Sequence, residues 1–286
     1  MTGNAADAEE IVQETFVRAL EKPPRKLSEP WLPWLTTVAV NLSRDFLRRR
    51  RRIEYVGPWL PSPVPTEDFQ LPEPAVANCE SQATRYDLRE SVSVAFLLAL
   101  EALTPTQRGA LLLRDVFDYS TGEAASVLGM TEANLKINLH RARRAMRDYD
   151  KTHKRTNSIG SETQGNILAK FLQCLDARDM SGLERLLTED VTVVSDGGGE
   201  VTALLAPMQG REKVMRLITK LYEINRSITR ITFYALNNQP AILVRRDRVR
   251  SGHAWRYTLQ CEHDETGRIK RLNFVFAPSK LTALRK

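Results

Sequence analysis

Residues 131–147, TEANLKINLHRARRAMR, constrain this chain more than any other stretch. At helical spacing Leu135, Leu139, Ala142 and Met146 fall on one narrow stripe, while Lys136, His140, Arg144 and Arg147 fall away from it around Ala133 and Ile137. Such a helix offers one face to a core and one basic face to something acidic. A shorter helix is expected at 121–128, with Ser120 and Glu123 at capping-box spacing and Gly129 as the break. Helix, tight glycine turn and basic helix is the layout of a helix-turn-helix, whose second helix enters the DNA major groove.

Charge points the same way only where it clusters. Against 35 Asp and Glu stand 42 Lys and Arg, a net charge of +7, and many solvated surfaces are that basic. Arg48 to Arg52 is an unbroken run, and Arg141, Arg143, Arg144 and Arg147 crowd one helix end. Cys79, Cys174 and Cys261 are scattered with no CxxC pair, so neither a zinc site nor a disulfide framework is expected. No apolar run approaches membrane-spanning length and no signal-peptide core is present, so a cytoplasmic location is expected.

In chain order, residues 5–20 read as a helix with Ile11, Val12, Phe16 and Leu20 on its apolar side and Asp7, Glu10, Gln13, Glu14 and Arg18 exposed. Residues 22–33 read as a proline-punctuated loop, and 34–52 as a helix packing through Leu35, Val38, Leu42, Phe46 and Leu47. The arginine run at its end is either a frayed, solvated terminus or a set of phosphate contacts. From 53 to 78 prolines forbid continuous helix. Trp59, Leu60, Phe69 and Leu71 imply that this linker lies in a groove, either on another domain or on a partner. Helix is expected again over 81–103, and Thr104-Pro105-Thr106-Gln107 is a helix start. After a polar stretch at 151–165 come helices at 167–177, 181–187 and 211–223 and a strand at 191–195 with the loop Asp196 to Gly199. Period-two alternation then marks strands at 228–236, 241–247, 254–263 and 268–276. Helices followed by antiparallel strands give an α+β domain with a curved sheet.

Three blocks resemble a known family. ALTPTQRGALLLRDVFDYSTGEAASVLGMTEANLKINLHRARRAM resembles region 4 of an extracytoplasmic-function (ECF) sigma factor. DAEEIVQETFVRAL and WLPWLTTVAVNLSRDFLRRRRR resemble the later parts of region 2, and the final block resembles a SnoaL-like, NTF2-like domain. Sigma factors with that extension carry a WLPEP-type motif between the regions and a DGGG motif in the extension. The corresponding residues are Trp59-Leu60-Pro61 with Ser62-Pro63, Leu71-Pro72-Glu73-Pro74, and Asp196-Gly197-Gly198-Gly199. Ala277-Pro278-Ser279-Lys280-Leu281 resembles the closing motif, with Ala for the usual Asn. Region 2 in the family begins about one long helix before DAEE, so either an upstream start or a weakened region 2 is expected, a misassigned or natural internal start being favoured, and the first two helices are short of partner surface.

The resemblance implies a multidomain chain: all-α region 2 (1–53, N-terminally incomplete), a proline-rich linker (54–80), an all-α helix-turn-helix region 4 (81–150), a linker (151–164) and an α+β SnoaL-like/NTF2-like cone (165–286). It implies an initiation subunit that binds the RNA polymerase core through its clamp helices and flap, and that reads promoter DNA at two elements. Thr131, Asn134, Lys136, Ile137, His140, Arg141 and Arg144 are expected at the upstream element, where Ile137 suits a thymine methyl. Arg141 and Arg144 are expected to position phosphates. Asn41, Asp45, Arg48 and Arg49 match the helix that captures an unstacked base downstream, and Asp7, Glu10, Gln13 and Glu14 match the core-docking surface. Trp59, Leu60, Pro61 and Asp196 to Gly199 are expected to make an intramolecular regulatory contact. The cone can hold a small molecule; Asp196, Trp255, Tyr257, Cys261, His263 and Asp264 line either a pocket or an ordinary strand core. No cofactor, metal or catalytic residue is expected. A one-component regulator with an effector-binding cone, or a SnoaL-type enzyme, fits the helix-turn-helix or the cone alone, but neither needs the region 2 motifs.

Overall fold

In the computed structural model, all residues are described except 25–27, 29, 51–54, 67–92, 154–159, 225–227, 248 and 285–286. The sequence motif Leu71 to Pro74 and Cys79, together with most of the helix expected over 81–103, lie outside the described residues. The chain divides into two units, Met1–Glu54 with Gln70–Arg155, and Tyr55–Phe69 with Thr156–Lys286.

The first unit is helical. Helix α1 (Ala5–Glu21) starts at Asn4, whose side chain accepts from the Ala6 amide. Its buried face is Ile11, Thr15 and Ala19, not the Val12, Phe16 and Leu20 side expected from the sequence; Phe16 is 57% exposed. Thr15 tolerates burial because its hydroxyl donates to the Ile11 carbonyl. Helix α2 (Trp31–Arg50) begins three residues earlier than expected. Pro33 sits in its first turn, where a missing N–H costs nothing. Helices α3 (Val94–Glu101) and α4 (Pro105–Leu111) follow, the second opened by the Thr104/Gln107 capping box, and one π-turn (Leu112–Val116) continues it.

Helix α5 (Thr121–Leu128) opens on the Ser120/Glu123 capping box and closes on Gly129 at φ +63°, a conformation that glycine adopts without strain. Helix α6 (Glu132–His153) runs six residues past the expected end. Its stripe Leu135, Leu139, Ala142 and Met146 is buried, with Leu139, Ala142 and Met146 against Phe96, Leu100, Leu103 and Leu111, and Leu135 against Ala124 and Leu128. Helix α2 packs on this bundle: Val40 joins the Leu128–Leu135 cluster, Arg44 donates to the Leu128 carbonyl, and the Thr36 and Tyr119 hydroxyls are 3.2 Å apart. Glu101 accepts from Arg50 at 2.5 Å and from the buried Arg108 at 2.9 Å. Helix α2 thus finds partner surface on α4 and α5, while α1 packs on α2 and leaves Val12, Phe16 and Leu20 exposed.

In the second unit, helices α7 (Ser161–Asp176), α8 (Met180–Leu186) and α9 (Arg211–Ile224) cover one face of a six-stranded sheet of order β2-β1-β6-β5-β4-β3. The strands are β1 (Leu187–Asp196), β2 (Met208–Gln209), β3 (Ile228–Leu236), β4 (Gln239–Arg246), β5 (Arg256–His263) and β6 (Ile269–Val275). Helices α6 and α7 both extend into the polar stretch read as the second linker. The sheet is not wholly antiparallel as expected: β1 runs parallel to β6. The helical face carries the core, with Phe171, Val191, Val193, Ile242, Val244, Leu259, Cys261 and Leu272. The other face carries the alternate residues, including Asp196, Leu243 and Thr258, all buried.

Candidate nucleic-acid interface and linker clasp

The exposed side of α6 is built by default once its apolar stripe is fixed. Thr131, Asn134, Lys136, Ile137, His140, Arg141 and Arg144 all lie on the exposed surface, and Ile137 is 51% exposed. The Thr131 hydroxyl accepts from the Asn134 amide, which caps the helix start. One arginine of the cluster does not belong to this face. Arg143 turns inward and forks onto Asp115, with Nε 2.9 Å from Oδ2 and Nη2 2.5 Å from Oδ1.

On α2, Asn41, Asp45, Arg48 and Arg49 are exposed together on one side, and Arg48 pairs with Asp45 at 3.1 Å. On α1, Glu10, Gln13 and Glu14 are exposed and Asp7 half-buried. They share the surface with the exposed Val12, Phe16 and Leu20, a mixed acidic and apolar face that the sequence reading assigned to packing.

In the second unit, the sequence-chosen residues of the linker and the glycine loop come together. Asp196 is fully buried at the end of β1. Its carboxylate accepts from the Tyr55 hydroxyl at 2.5 Å, the Leu60 amide at 2.7 Å and the Gly198 amide at 2.9 Å. The fourth partner is Lys280, whose Nζ donates to Asp196 Oδ2 and to the Leu60 carbonyl, both at 2.6 Å. The same ammonium lies 4.9 Å from the Tyr55 ring centroid and 4.5 Å from that of Trp59. Lys280 thus grips the linker from both sides: it binds the strand-end carboxylate and caps a linker carbonyl under two aromatic rings. Farther along, the Val64 amide donates to Asn237 and the Asn237 amide to the Val64 carbonyl, so residues 55–66 run across the outer sheet face. Gly197 has no room for a side chain, since a Cβ would meet the Val201 carbonyl at 2.4 Å.

Sequence reasoning missed Lys280 and Tyr55 as members of this cluster. An aspartate at the end of an apolar strand was the available signal, because a buried carboxylate needs a cation or several donors. The pocket reading is corrected on one point. Asp196 pairs in register with Val275 and through it with Thr258, so it faces away from Tyr257, Cys261 and His263. Tyr257 instead clusters with Phe274 and Phe276, at ring-centroid distances of 6.2 and 5.0 Å. Burial raises the Tyr257 phenol and the Cys261 thiol above their ordinary ranges and lowers the His263 imidazole to about 4. All three are neutral at pH 7, as packing residues are. Cys174 and Cys261 are free thiols, both buried. Among the described residues no cluster of His, Cys, Asp and Glu could hold a metal ion, and no helix is long and apolar enough to cross a membrane.

A capped helix-turn-helix with an exposed basic face defines a DNA-binding protein. The comparisons name the family. Residues 93–146 match the pattern of Sigma-70, region 4, and residues 1–53 that of Sigma-70 region 2. Over 233 residues the chain is 34% identical to the ECF RNA polymerase sigma factor SigJ of Mycobacterium tuberculosis, covering 78% of this chain and 68% of that one. It is 32% identical over 202 residues to SigG of the same organism, of whose length it spans 55%. The crystal structure of SigJ superposes with a TM-score of 0.69 at 25% identity, over 99% of this chain and 92% of that one. The chain belongs to the ECF RNA polymerase sigma factors. Its role lies in promoter recognition and transcription initiation, with RNA polymerase and promoter DNA as its partners.

Proposed function

We propose that the chain grips a promoter at two points under the control of its own C-terminal unit. The exposed face of α6 reads the upstream element: Lys136, Ile137 and His140 reach base edges, Arg141 and Arg144 hold phosphates, and Thr131 and Asn134 fix the helix entry. Asn41, Asp45, Arg48 and Arg49 on α2 engage the opened downstream element. Asp7, Glu10, Gln13 and Glu14 on α1 dock the clamp helices of the polymerase core, in the cytoplasm where that enzyme works. The clasp of Asp196 to Gly199 on Trp59, Leu60 and Pro61 fixes the path of the linker and so sets the reach between the two points. No catalytic step is assigned to any residue.

The observation that carries this reading is the division of α6 into a buried apolar stripe and an exposed face of Lys136, Ile137, His140, Arg141 and Arg144. Each phosphate contact contributes about 0.9 to the slope of log K against log salt. Replacing Arg141 and Arg144 by Ala is therefore expected to weaken promoter binding and reduce that slope by about 2. Fluorescence anisotropy over a salt series measures it, and an unchanged slope would remove both residues from the interface.

A further inference from the structure

The outer face of the C-terminal sheet carries a feature that the linker clasp does not use. Arg230 on β3 lies opposite Arg245 on β4, and Arg245 opposite Arg256 on β5. Residues directly opposite on neighbouring strands point to the same face, so three arginine side chains leave the sheet from one row. Like charges in that position oppose folding. Arg245 indeed contributes, after burial, to lowering the Arg256 pKa. Arg256 is half-buried and donates to the Leu281 and Leu284 carbonyls at 3.1 and 3.0 Å. Asp196, on the same sheet face, is tied to Lys280. Beside the row, Trp255 is 44% exposed, with the Arg256 guanidinium 4.8 Å above its ring. The connection between β4 and β5 adds the exposed Arg250 and His253. Strands lie about 4.8 Å apart, so the row spans about 10 Å. Duplex DNA presents a phosphate about every 3.4 Å along each strand, which makes a backbone a fitting partner for three cations in line.

We propose that this face is a second duplex-DNA contact, in which Arg230, Arg245 and Arg256 meet the phosphate backbone and Trp255 packs beside it. The contact is independent of sequence, because it uses charge and an aromatic surface and no base-edge donors. It rests on the family's promoter role only for the choice of DNA as the polyanion.

The test uses the full chain and a duplex without promoter elements, followed by fluorescence anisotropy over a salt series. Arg230→Gln with Arg245→Gln is expected to reduce the salt slope by about 2 and to add to the reduction from Arg141→Ala with Arg144→Ala. Trp255→Ala is expected to weaken binding severalfold at an unchanged slope, since it removes no charge. Should the double variant lose its thermal transition, Arg230→Gln alone, at an exposed position, is expected to reduce the slope by about 0.9. A wild-type slope and affinity in a folded Arg230→Gln, Arg245→Gln chain overturns the proposal. So does a loss confined to binding of vesicles rich in phosphatidylserine, which would make the face a lipid contact. If only the Arg141 and Arg144 reduction appears, the promoter-reading face stands and this second contact falls.

Discussion

Replacing Lys280 by Met is expected to destabilise the C-terminal unit by about 3–5 kcal/mol, the usual cost of removing one partner from a buried ion pair. Lys280 and Asp196 are 3% and 0% exposed at their side chains, so neither charge has water to fall back on. The Tyr55, Leu60 and Gly198 donors would remain on Asp196, but the Leu60 carbonyl would lose its ammonium. The unfolding transition of that unit in calorimetry reports the loss. Coupling Lys280→Met with Asp196→Leu should recover part of it, because the orphaned charge is then gone. Linker release should accompany destabilisation, with faster proteolysis in residues 55–66. An unaltered transition in Lys280→Met would show that the clasp contributes nothing to stability.

The second large effect is expected at Arg143→Ala, about 3–5 kcal/mol in the helical unit. The Asp115 side chain is 2% exposed and receives both forks of this guanidinium. Without Arg143 its charge is buried against the helix-turn-helix core. By contrast Arg144, one residue on, is 75% exposed and shares only a 3.9 Å contact with Asp148. Its removal should leave stability within about 0.5 kcal/mol while weakening DNA binding. Urea unfolding of the two variants separates a structural arginine from a binding one. Equal stability in Arg143→Ala and Arg144→Ala would contradict the assignment.

What could be read from the sequence was local. The boxes Thr104/Gln107 and Ser120/Glu123 need only neighbours within a turn, and both formed where expected. The stripe Leu135, Leu139, Ala142 and Met146 followed from period alone. Period failed on α1, because Thr15 and Ala19 are small enough to pack closely while Val12, Phe16 and Leu20 occupy another face. Hydrophobicity marks what gains from burial, not which of two faces meets a neighbour, here the next helix, α2. The parallel pairing of β1 with β6 has a different cause, since the two strands lie far apart in the chain. The linker contact was legible as a set of residues, Trp59, Leu60, Asp196 and the glycines, but its chemistry was not. Lys280 is 84 residues from Asp196 and 220 from Leu60, a separation that no spacing rule spans. Arg143 shows the complementary limit: four arginines in seven residues look alike until Asp115 selects one.

Transcription itself tests the sigma function most directly. Purified chain is added to RNA polymerase core lacking any other sigma factor, and run-off transcripts are measured from DNA upstream of genes that respond to its expression. We expect core binding and discrete transcripts from a defined start, lost with Arg141→Ala and Arg144→Ala while core binding persists. A folded chain that neither binds core nor yields a start-specific transcript would contradict it.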